Sequence, residues 1–447
     1  MSFSWSTSRR TAVCLLAAGV SSCATYRDRT DAALRDFQAG RFSQAEEEFG
    51  DPGATTSEFL AGAEAGTVAL TDGRWEEAIR WFDRAGACVA ELEAQVLQDP
   101  GSSAGGLGGL LPHDSLSTYR GEGYERATLH VVRGLAHLGL GALEDTLLEV
   151  QRSKRLLAAE GARYDKEYRK AGLTHFISAI GHEIRGEHDQ AWADWSALEE
   201  RGLAPSVHRP ALQRCAARLA RMEDFERLVA RDGQAAALPE GAVRIVLVAG
   251  VGRGPVKVGS RQEVLTPEGA VTLTVPRFAR RPQPVEHLEM IVTGVAVRSV
   301  EIEAVHALAQ ESLADRLSQF PERTSTDEQG HGWEAALGGV GHSVGGLTNA
   351  TWEEGAVERT ADPDLDLRSW KTLPDSWHVA SIFAPPGRHA IAVSIPDAVT
   401  ADLGSIILEP GETVFVLARS LDDDLHVRRV GGLEVALPVE IGPLDAR

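Results

Sequence analysis

Few residues of this chain combine the type and spacing that chemistry needs. Cys14 and Cys23 stand nine residues apart in SRRTAVCLLAAGVSSCATYRDRT, Ser8 to Thr30, where a thiol is a handle for covalent modification. Two histidines on one helical face hold zinc when they sit at i and i+4, but in HEIRGEH (His182 to His188) the i+4 position is Gly186. The glycines of GGVGHSVGG (Gly338 to Gly346) run G-x-G-x-x-x-G with no strand before them, which is not a dinucleotide loop. AGVGRGPVK lacks the spacing and the Ser/Thr of a phosphate cradle, and Gly341-His342-Ser343-Val344-Gly345, although it has the G-x-S-x-G spacing of a nucleophile elbow, has no strand before it. Carboxylates are plentiful, yet a hydrolytic pair is defined in space and not by spacing. What remains is DLDLRSWKTLP, Asp364 to Pro374. Arg368 and Trp370 flank Ser369 and offer a stacked or bidentate contact to a ligand or partner, with Asp364 and Asp366 as ion partners. The competing reading is a structural corner, with Trp370 in the core and Arg368 paired to an acid. No residue pattern calls for a metal or a cofactor.

The N-terminus carries an address. Arg9 and Arg10 precede a short apolar run, Thr11 to Val20, too short to cross a bilayer as a helix. That reads as a cleaved signal. Val20-Ser21-Ser22-Cys23 resembles the lipobox of bacterial lipoproteins, and the resemblance implies that residues 1–22 are the signal removed, that Cys23 is acylated and becomes the first mature residue, and that Cys14 leaves with the signal. Several acyl chains anchor stably where one binds marginally. Ala24 stands where an Asp would favour inner-membrane retention in enterobacteria, so the expected location is the outer membrane facing the periplasm, with residues 23–30 as tether. A plain secretory signal is the alternative.

The formal charge of −20 leaves no basic stripe for nucleic acid and disfavours anionic lipid beyond the anchor itself. No later segment is long and apolar enough to span a membrane. Cys88 and Cys215 both fall in helical segments, where a cysteine is more often a small buried hydrophobe than half of a disulfide.

The elements that must position these residues change character half-way. From residue 31 to 236 the pattern is helical, and four units align: AGRFSQAEEEF, DGRWEEAIRWF, LGALEDTLLEV and RGEHDQAWADW. Each has a turn glycine, Gly40, Gly73, Gly141 or Gly186. A small residue follows five positions on (Ala45, Ala78, Thr146, Ala191) and a large one four further (Phe49, Phe82, Val150, Trp195). Twelve positions before the first small residue another recurs: Ala33, Gly66, Gly134, Ala179. Small residues let paired helices approach, and the large one fills the gap. The glycine intervals of 33, 68 and 45 residues suggest one period of about 34, two periods, and one with an insertion. The spacing resembles tetratricopeptide repeats, best in the second unit, although the closing proline of that family is absent. The Gly/Ser-rich stretch 97–123 reads as a mobile loop inserted into the array.

After ALPEG, residues 241–447 turn β-rich. AVRIVLVAG, AVTLTVP, MIVTGVAVRSV, HVASIFA, RHAIAVSI and TVFVLARSL read as strands, EAVHALAQESLADRLSQF (Glu303 to Phe320) as a helix, and GWEAALGGVGHSVGGLTNATW as a poorer one. The expected fold is a multidomain α+β chain: an all-α, tetratricopeptide-like array, then a sandwich-like β domain with one or two helices. APPGRHAIAVSIP has the cadence of small carbohydrate-associated β modules. AGVGRGPVKVG, DLDLRSWKTLP and YRGEGYERATLHVVRGLAHLGLG together resemble an uncharacterised family of bacterial lipoproteins with N-terminal tetratricopeptide-like repeats. That resemblance implies an envelope scaffold with protein partners, linked to cell-wall synthesis, and brings no catalytic residues. The alternatives are an envelope polysaccharide or peptidoglycan hydrolase with its site in the β-rich half, and a structural subunit of an envelope assembly.

Overall fold

The computed structural model describes residues 26–98, 118–164, 166–266, 269–318 and 366–433. Helical hairpins come first: α1 (Tyr26–Gln38) with α2 (Phe42–Phe49), then the single turn α3 (Pro52–Thr55), then α4 (Glu58–Asp72) with α5 (Trp75–Gln98). α6 (Gly123–Gly139) pairs with α7 (Leu143–Arg163), α8 (Leu173–Ile184) with α9 (His188–Arg201), and α10 (Pro205–Arg218) with α11 (Met222–Asp232). The strands are β1 (Val243–Val251), β2 (Val256–Thr266), β3 (Gly269–Ala279), β4 (Glu289–Val292), β5 (Val295–Arg298) and β6 (Val300–Glu303). After α12 (Val305–Ser318) come β7 (Ser376–Ala384), β8 (Gly387–Ile395), β9 (Val399–Leu408), β10 (Thr413–Leu421) and β11 (Asp424–Leu433). The chain is thus α+β, with hairpins before strands.

The phased small and large residues do what their spacing requires. Ala45, Phe49, Ala78, Phe82, Val150, Ala191 and Trp195 are all fully buried. Gly66 on α4 faces the Phe82 ring of α5 so closely that a Cβ there would overlap it. Thr146 of α7, in a small-residue position, donates its hydroxyl to the Gly134 carbonyl of α6 at 3.1 Å, which ties the hairpin where the helices touch. The four turn glycines all take positive φ, between 68° and 80°. A fifth hairpin, α10–α11, has Ala220 at φ 54° in its turn and Phe225 five residues on, so neither part of the sequence signature is present.

Two intervals have a different cause from the one their length suggests. The 68 residues between Gly73 and Gly141 hold no additional hairpin among the described residues. The first part is α5 itself, 24 residues long, and α6 begins at Gly123. The 45-residue interval reflects the 21-residue α7 and the link to α8. Residues 118–123, at the end of the stretch expected to be a loop, are packed. Tyr119 is buried, its carbonyl accepts from Ser57 Oγ at 2.8 Å, and Glu122 forms a capping box with Glu125 at the start of α6. Leu97 and Gln98 are helical and close α5; the rest of that insertion, residues 99–117, and the 1–22 signal, Cys23, Asp364 and the poorer glycine-rich helix lie outside the described residues.

The strands form a five-stranded sheet, β11-β10-β1-β7-β6, a four-stranded sheet, β5-β4-β8-β9, and the ribbon β2-β3. β1 runs parallel to β10 and antiparallel to β7. Val243, Ile245, Leu247, Ala249 and Val251 face the four-stranded sheet, while Val246 and Val248 face the helices. A strand covered on both faces is apolar along nearly all its length, which explains VRIVLVAGV, whose single charge, Arg244, pairs with Glu183 of α8. The expected sandwich exists, but the helical array closes its outer side as a third layer, and one apolar cluster runs from Phe59 and Leu135 to Trp377 and Phe415. MIVTGVAVRSV is a hairpin instead of one strand. Thr293 and Gly294 both have positive φ, the two-residue turn that suits the twist of antiparallel strands.

Candidate functional site

The segment 366–375 lies against the helical array, and almost every polar atom it brings has a partner there. Glu64, in the middle of α4, is fully buried on a helix where every residue from Phe59 to Thr71 is buried. Its carboxyl accepts the backbone N–H of Lys371 at 2.7 Å and of Thr372 at 2.9 Å. Glu125, on α6, accepts the N–H of Trp370 at 2.8 Å, the hydroxyl of Tyr119 at 2.6 Å and the N–H of Glu122 at 2.9 Å. Two glutamates from neighbouring hairpins therefore hold three successive amides of one extended segment. Burial pushes both carboxyls above their ordinary range, against the hydrogen bonds they accept. Tyr26 Oη lies 2.9 Å from both Glu64 and the Ser369 carbonyl. A hydroxyl has one proton, so Tyr26 divides its donation between the Glu64 carboxyl and the Ser369 carbonyl.

The side chains of the segment are equally enclosed. Trp370 is fully buried between Phe59 and Phe82, at centroid distances of 6.2 and 6.3 Å, and its indole N–H points to Thr67 and Thr372 at 3.0 Å each. Arg368 makes a bidentate pair with Asp366, both contacts at 2.8 Å, and stacks over the Tyr119 ring. Lys371 donates to Thr30 Oγ1 at 2.7 Å and sits over the Tyr26 ring; desolvation lowers its pKa to about 8. Thus Arg368, Ser369, Trp370 and Asp366 are brought together, but as an internal contact. Their open positions as ligand or partner contacts are filled by the chain's own helices, because Trp370 and the Asp366-paired Arg368 gain more from that slot than from water.

A second charged layer surrounds the segment. Glu122 pairs with Lys257 of β2 and with Arg316 of α12 at 2.8 Å, and these cations hold its carboxyl at about 2 despite burial. Asp375 takes Arg280 in a bidentate pair, and Arg281 donates to the Lys371 carbonyl at 2.8 Å. Farther along the array, Glu183 of α8 pairs with Arg244 of β1. Glu303, at the end of β6, accepts the Leu173 N–H at 3.2 Å and so caps the start of α8 from another element. Its carboxyl has no charged partner contributing to its state, and burial raises it to about 7.

These carboxylates were not singled out in the sequence. The available signal was a lone acid inside an otherwise apolar helix, as in EFLAGAEAGTVALTD, where burial forces a partner. Elsewhere the chemistry is local. His182 pairs with Glu187 at 2.7 Å, and the Gly186 turn separates it from His188, which begins α9. Among the described residues no group of three or more His, Cys, Asp or Glu side chains is arranged for a metal, and no helix is long and apolar enough to cross a membrane. Cys88 and Cys215 are free thiols. On the outer side of the first two hairpins a surface cleft opens between Ser43, Glu47, Asp51, Trp81 and Arg84; Trp81 donates to Glu46 at 2.7 Å and Arg84 stacks over its ring.

No family model matches the chain, and no curated protein matches it. Among solved structures, the MamA protein is similar over 48% of this chain and 98% of that one, at 12% identity and a TM-score of 0.30. A likeness at that level carries no argument about fold or activity.

Proposed function

We propose that this chain is a non-catalytic adaptor of the bacterial envelope, anchored through acylated Cys23 and binding protein partners through a tetratricopeptide-like helical array. The observation that carries the reading is the division of labour between the two sides of the hairpins. Their inner helices α1, α4 and α6 spend their polar groups on segment 366–375, so partner binding falls to the outer helices and to the cleft beside Trp81 and Arg84. A half-buried tryptophan with a stacked arginine is the kind of anchor on which protein interfaces concentrate their energy. The raised carboxyls, which in a hydrolase would converge on a cleft, are dispersed: Glu64, Glu125 and Glu303 are engaged with backbone amides in the interior, and Asp315 with Lys166 and Tyr168. The lipobox supports the anchor, and the resemblance to repeat-bearing lipoproteins supports an outer-membrane location facing the periplasm and a link to cell-wall synthesis.

The test is capture of partners by the tagged chain from crosslinked native membranes, alongside Cys23→Ser and Trp81→Ala/Arg84→Glu forms. Radiolabelled fatty acid incorporated into the wild type and absent from Cys23→Ser supports the anchor. A partner lost with the cleft variant supports the adaptor; one retained undiminished by both variants overturns it.

A further inference from the structure

We propose that a halide-sized monovalent anion binds between the helical array and the five-stranded sheet, held by Arg419 Nε and Trp377 Nε1. His426, Arg419, Gly250 and Trp377 are register partners across the four neighbouring strands β11, β10, β1 and β7. Residues in one such row project to the same face. That face is the helical one: Trp377 belongs to the core shared with the helices, whereas the flanking Ala249, Val251, Ala418 and Val427 belong to the core between the sheets. Gly250, in the middle of the row, has no side chain, and the place of its missing Cβ is taken by the Arg419 side chain and Pro374, which an added Cβ would meet at 3.1 and 3.2 Å. Above the row lies a partly open cavity of about 30 Å³, lined by Leu70, Leu135, Val248 and Leu417 and by the hydroxyl residues Thr67 and Thr71. It holds a halide or a water or two and is too small for sulfate or phosphate.

The chemistry of the wall selects the charge. Arg419 is buried, and its terminal nitrogens donate to the carbonyls of Gly250, Gly252 and Ser420 and of Thr372 and Leu373. Dipoles, and no carboxylate, receive this guanidinium. Arg281 adds a second positive charge to the surroundings, while Asp422 and Asp375 act on Arg419 in the opposite sense without a direct contact. An arginine does not shed its proton, so the charge stays in the interior. Its Nε, the Trp377 indole nitrogen and His426 Nε2 are buried without a hydrogen-bond partner among the described residues, and all three residues line the cavity. Two N–H groups therefore lack an acceptor among the described residues. A halide accepts from both and asks for nothing in return. A water can take the same place, giving its O–H groups to His426 Nε2 in one tautomer or to the hydroxyls of Thr67 and Thr71, and it is the charge of Arg419 that favours the anion.

The experiment uses the full chain in gluconate, which cannot enter, with chloride or bromide substituted at constant ionic strength. The denaturation midpoint is expected to rise with the logarithm of halide concentration. Trp377→Phe keeps the ring and removes the N–H, and is expected to weaken the half-saturating halide concentration about tenfold, the effect of one charge-assisted hydrogen bond. Crystals soaked in bromide are expected to show an anomalous peak between Arg419 and Trp377. Equal midpoints in chloride and gluconate, or density there that refines as water with no anomalous signal, would overturn the proposal.

Discussion

Replacing Glu303 by Gln tests whether the contact between the end of β6 and the start of α8 is held by a carboxyl that resists ionisation. Glu303 is buried, accepts backbone amides at the head of α8, and has its pKa raised from 4.5 to about 7 by desolvation. A raised carboxyl means that the folded state binds the proton more tightly than the unfolded chain does. Stability is then greatest below the unfolded value and falls as pH rises toward and through 7. The displacement corresponds to about 3 kcal/mol lost between about pH 5 and about pH 8. Glutamine keeps an oxygen to accept the Leu173 N–H and cannot ionise. The expected outcome is a variant close to wild type at the acid end and more stable by about 2–3 kcal/mol at the alkaline end. The assay is urea unfolding followed by tryptophan fluorescence, with wild type and variant at both pH values. Taking the difference of differences cancels every other titrating group. Parallel pH profiles for the two proteins would refute the reasoning, and would mean that Glu303 is solvated or paired in solution.

Three other outcomes follow from the geometry. Trp370→Ala, which empties the slot between Phe59 and Phe82, is expected to lose about 3–5 kcal/mol in chemical denaturation, and Trp370→Phe, which removes the hydrogen bonds to Thr67 and Thr372, about 1–2 kcal/mol. Lys371 has its pKa lowered to about 8, so the folded state sheds that proton first and stability rises from about pH 8 to the unfolded value of 10.5; Lys371→Met should flatten the rise in unfolding midpoint over that window. Gly66→Ala would drive a Cβ into the Phe82 ring and is expected to cost about 1–3 kcal/mol by thermal melting, whereas Gly186→Ala meets open space and should lose only about 1–2 kcal/mol from its positive φ.

The helical hairpins were legible because their constraint is local. A turn at positive φ favours glycine, and two helices that touch need small residues at fixed distances from that turn, so Gly73, Ala78 and Phe82 announce their hairpin in one short stretch. The same logic explains the misses. Ala220 adopts the turn conformation without glycine, and the long α5 mimics a repeat period in the interval before Gly141. The Thr-Gly turn inside MIVTGVAVRSV is a two-residue device hidden in an apolar run.

The segment around Trp370 shows where sequence stops. Its composition marked it as special, an arginine and a tryptophan flanking a serine beside acids, and composition alone left open whether it faced a ligand or the core. Only the fold puts Glu64 and Glu125, more than 240 residues earlier in the chain, against the amides of Trp370 to Thr372. Likewise the row of His426, Arg419, Gly250 and Trp377 exists only because β10 lies parallel to β1 and β7 antiparallel to it. The sequence by itself determined the turns, the helix–helix spacing and the change from helical to strand periodicity, since each depends on neighbours within a few turns of chain. Strand order and the partners of buried charges were decided by the tertiary structure, because a charge in the interior is satisfied by whatever the fold brings within hydrogen-bond reach, at any distance in sequence.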